Sequence, residues 1–201
     1  MVAIPVKRIR IEVFHCYIYC IGGFKSFLNN LSCNSNMASM TTRKKHEFHN
    51  EDGYNTTPDM WEMINQYIPK DKILFEAFLK DNWSSKSAVT LRELGHTVVG
   101  DPTMDFFDEP PEYDILVSNP PYSIKKKIFE RLAVLDKPFI LIVPISTITK
   151  QYVKCLERDK LQMIIPNKRL QFEKCGEPLK RCWFDTCFLC YKIELKHDIT
   201  F

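Results

Sequence analysis

From residue 54 onward, short apolar runs alternate with amphipathic helical stretches, and that alternation restricts the fold more than any other feature. Thr57-Pro58-Asp59 opens a helix, with a hydroxyl cap, proline at the first helical position and an acid in the first turn. Met60, Trp61, Ile64 and Ile68 follow at helical spacing, and Pro69 ends the run. Lys72 to Ala77 reads as a short buried strand. Ser84 to Leu94 reads as a helix with Ala88, Leu91 and Leu94 on one face and Gly95 as its stop. Thr97–Val99 and Asp114–Val117 are the next strands. Ser123 is placed to cap a helix bearing Ile124, Ile128, Leu132 and Leu135, and Phe139–Val143 is apolar enough for a central strand. Tyr152, Cys155 and Leu156 suggest a short helix, with later strands at Met163–Ile165 and Phe184–Leu195. Strands separated by helices of about ten residues pair in parallel through crossovers. An open sheet of that kind binds ligands beyond the carboxyl ends of its strands.

The first 50 residues differ. Lys7, Arg8 and Arg10 precede a mostly apolar stretch from Ile11 to Phe24, which Glu12 and His15 interrupt, and an Asn/Ser-rich segment follows from Asn29 to Ser39. We read residues 1–50 as an N-terminal extension outside the fold, and 51–201 as one domain. No window supplies the roughly 18 apolar residues of a membrane span. Eight cysteines at irregular spacing in 201 residues do not form a secreted disulfide framework, so reduced thiols inside a cell are expected. Cys187 and Cys190 have the spacing of a metal pair, but alternation along a strand sends them to opposite faces, and no metal site is expected.

The stretch carrying most chemistry is Asn119-Pro120-Pro121-Tyr122, directly after the Asp114–Val117 strand. Two prolines cannot extend a strand or donate backbone hydrogen bonds, so they hold the chain rigid as it leaves the sheet. That rigidity presents the Asn119 amide oxygen and the Pro120 carbonyl toward one point, where an amino or amide group with two N–H donors can sit. Tyr122 offers a flat face for stacking.

This sequence resembles the Asn/Asp-Pro-Pro-aromatic motif of S-adenosylmethionine-dependent amino methyltransferases, above all the N6-adenine-specific DNA methyltransferases, and among them the compact solitary methylases of large DNA viruses and phages. The resemblance covers about residues 54–201. It implies a Rossmann-like class I methyltransferase sheet, α/β and mostly parallel with an antiparallel last strand near residues 184–195. It implies S-adenosylmethionine as cofactor and methyl transfer to an amino nitrogen, most of all N6 of adenine in DNA. Asn119, Pro120 and Pro121 then orient the amine, and Tyr122 stacks on a base flipped out of the helix. The segment Tyr54–Trp61, with Thr57, looks like the family's contact to the methionine part of the cofactor. Gly95–Phe107 resembles its second and third motifs, with Asp101 on the ribose hydroxyls and Asp105 and Phe106 on the adenine. Glu76 and Phe78 match the first motif, while Lys80 and Asn82 stand where the family has glycines, which bears on cofactor binding because glycine there lets backbone approach the ligand.

Charge is unevenly spread. Residues 51–114 carry 5 basic and 14 acidic side chains, and residues 115–201 carry 16 basic and 9 acidic, a balance of +7. The basic part suits a nucleic-acid partner, or reads as ordinary solvated charge. Within it, Pro166–Arg181 holds Lys168, Arg169, Lys174, Lys180 and Arg181 around Phe172. By the resemblance, Phe172 stacks on the second face of the flipped base; as a residue alone it reads equally as a core anchor. The motifs leave no room between them for a separate target-recognition domain, so selectivity is expected from loops, dimerisation or a partner protein. The four-residue motif also occurs in enzymes that methylate adenine in RNA or glutamine in release factors, and a cofactor pocket decayed to a nucleic-acid-binding module is the reading from another class.

Overall fold

A computed structural model describes residues 54–79, 81–174, 177–179 and 184–201, with the side chains of all of these but 81–85. The extension at 1–50 lies outside the described residues, as do Lys80, Lys180 and Arg181 and the side chain of Asn82.

Each apolar run named above becomes a strand of one sheet. β2 (Ile73–Phe75), β3 (Thr97–Val99), β4 (Ile115–Ser118) and β5 (Phe139–Pro144) lie parallel, in the order β3-β2-β4-β5. β9 (Thr186–Tyr191) runs antiparallel between β5 and β6 (Leu161–Ile164). β10 (Ile199–Thr200) adds itself parallel to β6 at the edge. The sheet is therefore mostly parallel and Rossmann-like, with seven strands. One correction follows: the antiparallel strand is not the last, because the chain returns after it to form β10.

A small antiparallel sheet, β1 (Asn55–Thr56), β7 (Phe172–Lys174) and β8 (Glu177–Pro178), was not foreseen. It brings Asn55 and Thr56 beside the segment that follows β6.

The alternation of the central strands divides the core. Ile115, Val117, Ile140, Ile142, Phe188 and Cys190 face α1 (Pro58–Ile64) and α2 (Asp81–Glu93), where Met60, Trp61, Ile64, Ala88 and Leu91 meet them. Leu116, Phe139, Leu141, Val143, Cys187, Leu189 and Tyr191 face α3 (Lys125–Leu135), which supplies Ile128, Phe129 and Leu132. Burying both faces gives three layers and accounts for the nearly continuous apolar runs in β5 and β9. Cys187 and Cys190 do lie on opposite faces as free, buried thiols, and burial pushes the Cys187 thiol up to about 12. Among the described residues no group of ligands could hold a metal ion, and no helix is long and apolar enough to cross a membrane.

The helix ends correct two expectations. Gly95 stops α2 as expected, in left-handed backbone (φ +88°), with its N–H on the Arg92 carbonyl (2.9 Å) and the His96 N–H on the Leu91 carbonyl (3.1 Å), a Schellman closure. Thr57 sits at the N-cap of α1 but makes no cap bond; its hydroxyl is turned to the Asp59 carboxylate and the Gln171 carbonyl. Ser123 is not a cap either, since it lies inside a 3-10 turn, Tyr122–Ile124, that runs into α3. The short helix expected around Tyr152 is a 3-10 helix, Gln151–Cys155, and a second one, Ile145–Thr149, precedes it.

Gly100 holds the end of β3 against β2. Its φ is +138°, and a Cβ there would collide with the Glu76 backbone carbonyl. Gly100→Ala is expected to cost about 2–4 kcal/mol in urea unfolding, because both the backbone conformation and the contact resist a side chain. A loss near zero would contradict this packing.

Candidate active site

The chain reverses its direction of travel across the sheet between β2 and β4, so the carboxyl ends of these two neighbours flank a crevice. β2 delivers Glu76 there, and β4 delivers Ser118 and Asn119. A cleft follows this line, walled by Tyr54, Thr56, Glu76, Phe78, Ser87 and the Asn119–Tyr122 turn. It is narrow, with about 20 Å³ of free space, enough for a water molecule.

Glu76 is 3% exposed. The Ser118 hydroxyl donates to its Oε1, the Phe78 N–H lies 3.4 Å from the same oxygen, and Oε2 has no hydrogen-bond partner among the described residues. Burial pushes the carboxyl up to about 8, against the Ser118 and Phe78 bonds, which favour the charged form. Near neutral pH the group is therefore mostly protonated.

Asn119 is oriented by a single unambiguous contact. Its Nδ2 donates to the Tyr54 carbonyl at 2.9 Å. A carbonyl only accepts, so the amide nitrogen must be the atom on that side. Oδ1 is left buried and without a partner among the described residues. Leaving a buried acceptor unmet costs about 1–3 kcal/mol, which marks it as a site for an incoming donor. Pro120 and Pro121 fix the turn, and Tyr122 completes the wall, with the Lys125 ammonium 5.0 Å from its ring centre.

The other residues named from sequence are placed as follows. Asp101 lies exposed just beyond β3, where the Thr103 hydroxyl (2.5 Å) and N–H (2.7 Å) hold its carboxyl below the usual range. Asp105 accepts from the Phe107 N–H at 3.0 Å. Phe106 is buried with its ring 4.8 Å from that of Phe78, so it joins the cleft through Phe78. Thr57 lies outside the cleft wall. Phe172 corrects the expectation made of it: at 1% exposure it has no free face for a base and packs edge-on against Tyr54. Lys168 is paired with Asp59 at 3.2 Å and Arg169 with Asp185 at 2.7 Å, so both basic groups are engaged within the fold. Tyr54, Ser118 and Phe184 were not singled out. Tyr54 opens the segment Tyr54–Trp61 and Ser118 lies between the Asp114–Val117 strand and Asn119, whereas nothing local marks Phe184.

No family model matches this chain. No curated protein matches it. Among solved structures, it is similar to a precorrin-6y C5,15-methyltransferase from Geobacter metallireducens, with 10% identity over 67% of this chain and 89% of that one, at a TM-score of 0.39. It is also similar to TrmN from Thermus thermophilus, with 12% identity over 73% of this chain and 47% of that one, at a TM-score of 0.31. Overlap this loose says nothing of what this chain acts on.

The buried Glu76 carboxyl links stability to pH. Its folded pKa of about 8 stands above the ordinary 4.5, so the folded chain keeps a proton that the unfolded chain releases. Its contribution is fully present below about pH 4.5 and is lost as pH rises toward 8. In thermal melts, Glu76→Gln is expected to gain on the wild type by roughly 8–16 °C between pH 5 and pH 9. Parallel curves for the two proteins would show that this carboxyl is ionised in the fold.

Proposed function

We propose that this chain is an S-adenosylmethionine-dependent methyltransferase acting on an amino nitrogen, with N6 of adenine in DNA as its foremost substrate. The observation that carries the reading is the Asn119 amide: locked by Tyr54, it leaves a buried, unmet acceptor on the wall of a cleft at the carboxyl ends of β2 and β4.

The residues present fit the cofactor in kind. Glu76 brings a buried polar atom without a partner among the described residues, Phe78 and Phe106 bring an aromatic surface, and Asp101 is an exposed carboxylate beyond β3 suited to a diol. Asp105, with its carboxylate on an exposed turn, is the candidate for the adenine edge. When bound, the cofactor supplies an electrophilic methyl group on a positively charged sulfur. Asn119 Oδ1 and the Pro120 carbonyl accept the two N–H groups of the target amine, which draws its nitrogen toward tetrahedral geometry and frees the lone pair for attack. With the cofactor held by Glu76, Phe78, Asp101 and Asp105, its methyl would pass to that nitrogen and leave a neutral thioether, and one N–H proton would go to water. Tyr122 stacks on the ring that bears the amine. No covalent bond to the protein is required, which agrees with the cysteines at 187 and 190 lying buried on the sheet.

The net +7 of residues 115–201 supports a nucleic-acid substrate over a glutamine side chain. Lys125, Lys126 and Lys127 open α3 directly after the Tyr122 turn, close to where a phosphate backbone would pass.

Asn119→Ala is expected to lower methyl incorporation from tritiated cofactor by at least ~100-fold on DNA, while cofactor affinity changes by less than about threefold. Transfer near the wild-type rate would remove Asn119 from the chemistry. The narrow cleft favours a second reading, a nucleic-acid-binding module without transfer. Calorimetric titration separates the two, since micromolar cofactor binding supports the enzyme and an absence of heat at high cofactor concentration supports the module.

A further inference from the structure

Glu76 is the one carboxyl among the described residues that line the cleft. Among those residues its surroundings offer no positive charge. From β4 it meets the Ser118 hydroxyl, and from its own turn the Phe78 N–H. The end of β3 packs the uncharged Gly100 against its backbone carbonyl. α2 presents Ser87 to the cleft, the Lys86 ammonium being turned to Glu173 at 2.9 Å. Thr56 and Asn119 share the wall, together with the phenols of Tyr54 and Tyr122. Asp101, next in the chain after Gly100, turns its carboxylate to Thr103 and takes no part in the titration of Glu76. An ionised carboxylate taken out of water without a cation is costly, so the group keeps its proton. Its Oε2 is buried and has no hydrogen-bond partner among the described residues.

The place of this carboxyl decides which charge draws its proton off. Ser118 bonds Glu76, and the next residue, Asn119, carries the acceptor Oδ1 on the same wall. An amine bonded to that oxygen has to lie within about 3–3.5 Å of the methyl group it takes, so the methyl-bearing sulfur comes to the part of the cleft that Glu76 lines. That sulfur is positively charged before transfer and neutral afterwards. In a site sheltered from water, a cation beside a carboxyl strongly favours its ionised form, while a thioether leaves the cost of ionisation unmet. Cofactor and product therefore differ at Glu76 by one unit of charge, although they share their adenine, ribose, ammonium and carboxylate groups.

We propose that Glu76 distinguishes the charged cofactor from its thioether product: the carboxyl is neutral before the cofactor binds, gives its proton to solvent when the sulfonium settles beside it, and takes a proton back from solvent once the methyl group has gone. One O–H bond breaks on binding and is remade after transfer, so the charge at the carboxyl follows the charge at the sulfur. The resemblance places an acid at this position among the cofactor contacts; the change in its charge is the new element, and it rests on the methyltransferase reading. It gives the dry carboxyl a use. S-adenosylmethionine is held by a charge pair, and the product, left without one, is released more readily.

The test is calorimetric titration of the full chain near neutral pH with S-adenosylmethionine and, separately, with S-adenosylhomocysteine. Each is run in phosphate and in imidazole, buffers of different ionisation enthalpy, so that the difference in heat counts the protons exchanged. The wild type is expected to release about 0.8–1 proton per S-adenosylmethionine bound and less than about 0.3 per S-adenosylhomocysteine. Glu76→Gln keeps the shape of the side chain without its titration, and is expected to release less than about 0.2 proton with either ligand and to lose at least about tenfold of its preference for the methylated one. The wild type alone gives a second reading that needs no variant to fold: its affinity for S-adenosylmethionine is expected to rise about tenfold from pH 6 to pH 7, and that for S-adenosylhomocysteine less than about twofold. Equal proton release with the two ligands, heat without proton release, or the same release from the glutamine variant would each overturn this inference and leave the cofactor reading standing. An absence of heat with both ligands would overturn the two together.

Discussion

One hydrogen bond, from the Asn119 side chain to the Tyr54 carbonyl, settles which end of an amide faces the cleft. Asparagine amides turn over with little steric penalty, so an unconstrained Asn119 would offer a donor as often as an acceptor. The carbonyl can only accept, and it commits the nitrogen. The acceptor that remains is buried and has no partner among the described residues, an arrangement a fold tolerates where surrounding structure over-determines it. The two prolines supply that determination on one side, since their fixed φ prevents the turn from relaxing. The β1–β7 pairing supplies it on the other, by holding the Tyr54 carbonyl in place.

The large sheet is what makes this local arrangement possible. β4 is buried along its whole length, from Ile115 to Ser118, and its neighbours β2 and β5 hold it on both sides. Asn119 therefore leaves a rigid strand, and its position is set by the packing of two core layers. Glu76 shows the cost of the same design. A carboxyl at the end of β2 has been taken out of water, kept mostly protonated near neutral pH, and given a serine hydroxyl on one oxygen only. Together these polar groups leave buried acceptors without partners among the described residues, on the wall of a narrow crevice between β2 and β4.

Much of the fold was legible because its signals are local. The Thr97–Val99 strand, the Gly95 stop and the apolar run of β5 each follow from a handful of adjacent residues. What escaped the sequence is built from distant pieces. β1 is two residues long and is a strand only because it finds β7 across more than a hundred positions. Their pairing is also what buries Phe172, so an aromatic among lysines read as a stacking platform while its ring belongs to the core. Ile145–Thr149 mixes β-branched residues with hydroxyl side chains that compete for backbone bonds, and it settles into a 3-10 turn that no apolar spacing announces. At the site, the motif residues Asn119–Tyr122 could be named from their order alone. Tyr54 and Phe184 become partners of Tyr122 only after the small sheet forms and the chain returns after it.

The orientation of the Asn119 amide can be observed without any ligand. In a nitrogen–proton correlation spectrum, its side-chain pair is assigned by its disappearance in Asn119→Ala. The account predicts that one of the two amide protons is shifted by hydrogen bonding and protected from exchange with water. A pair exchanging as fast as that of an exposed asparagine would mean that Tyr54 does not hold the amide, and that no fixed acceptor faces the cleft.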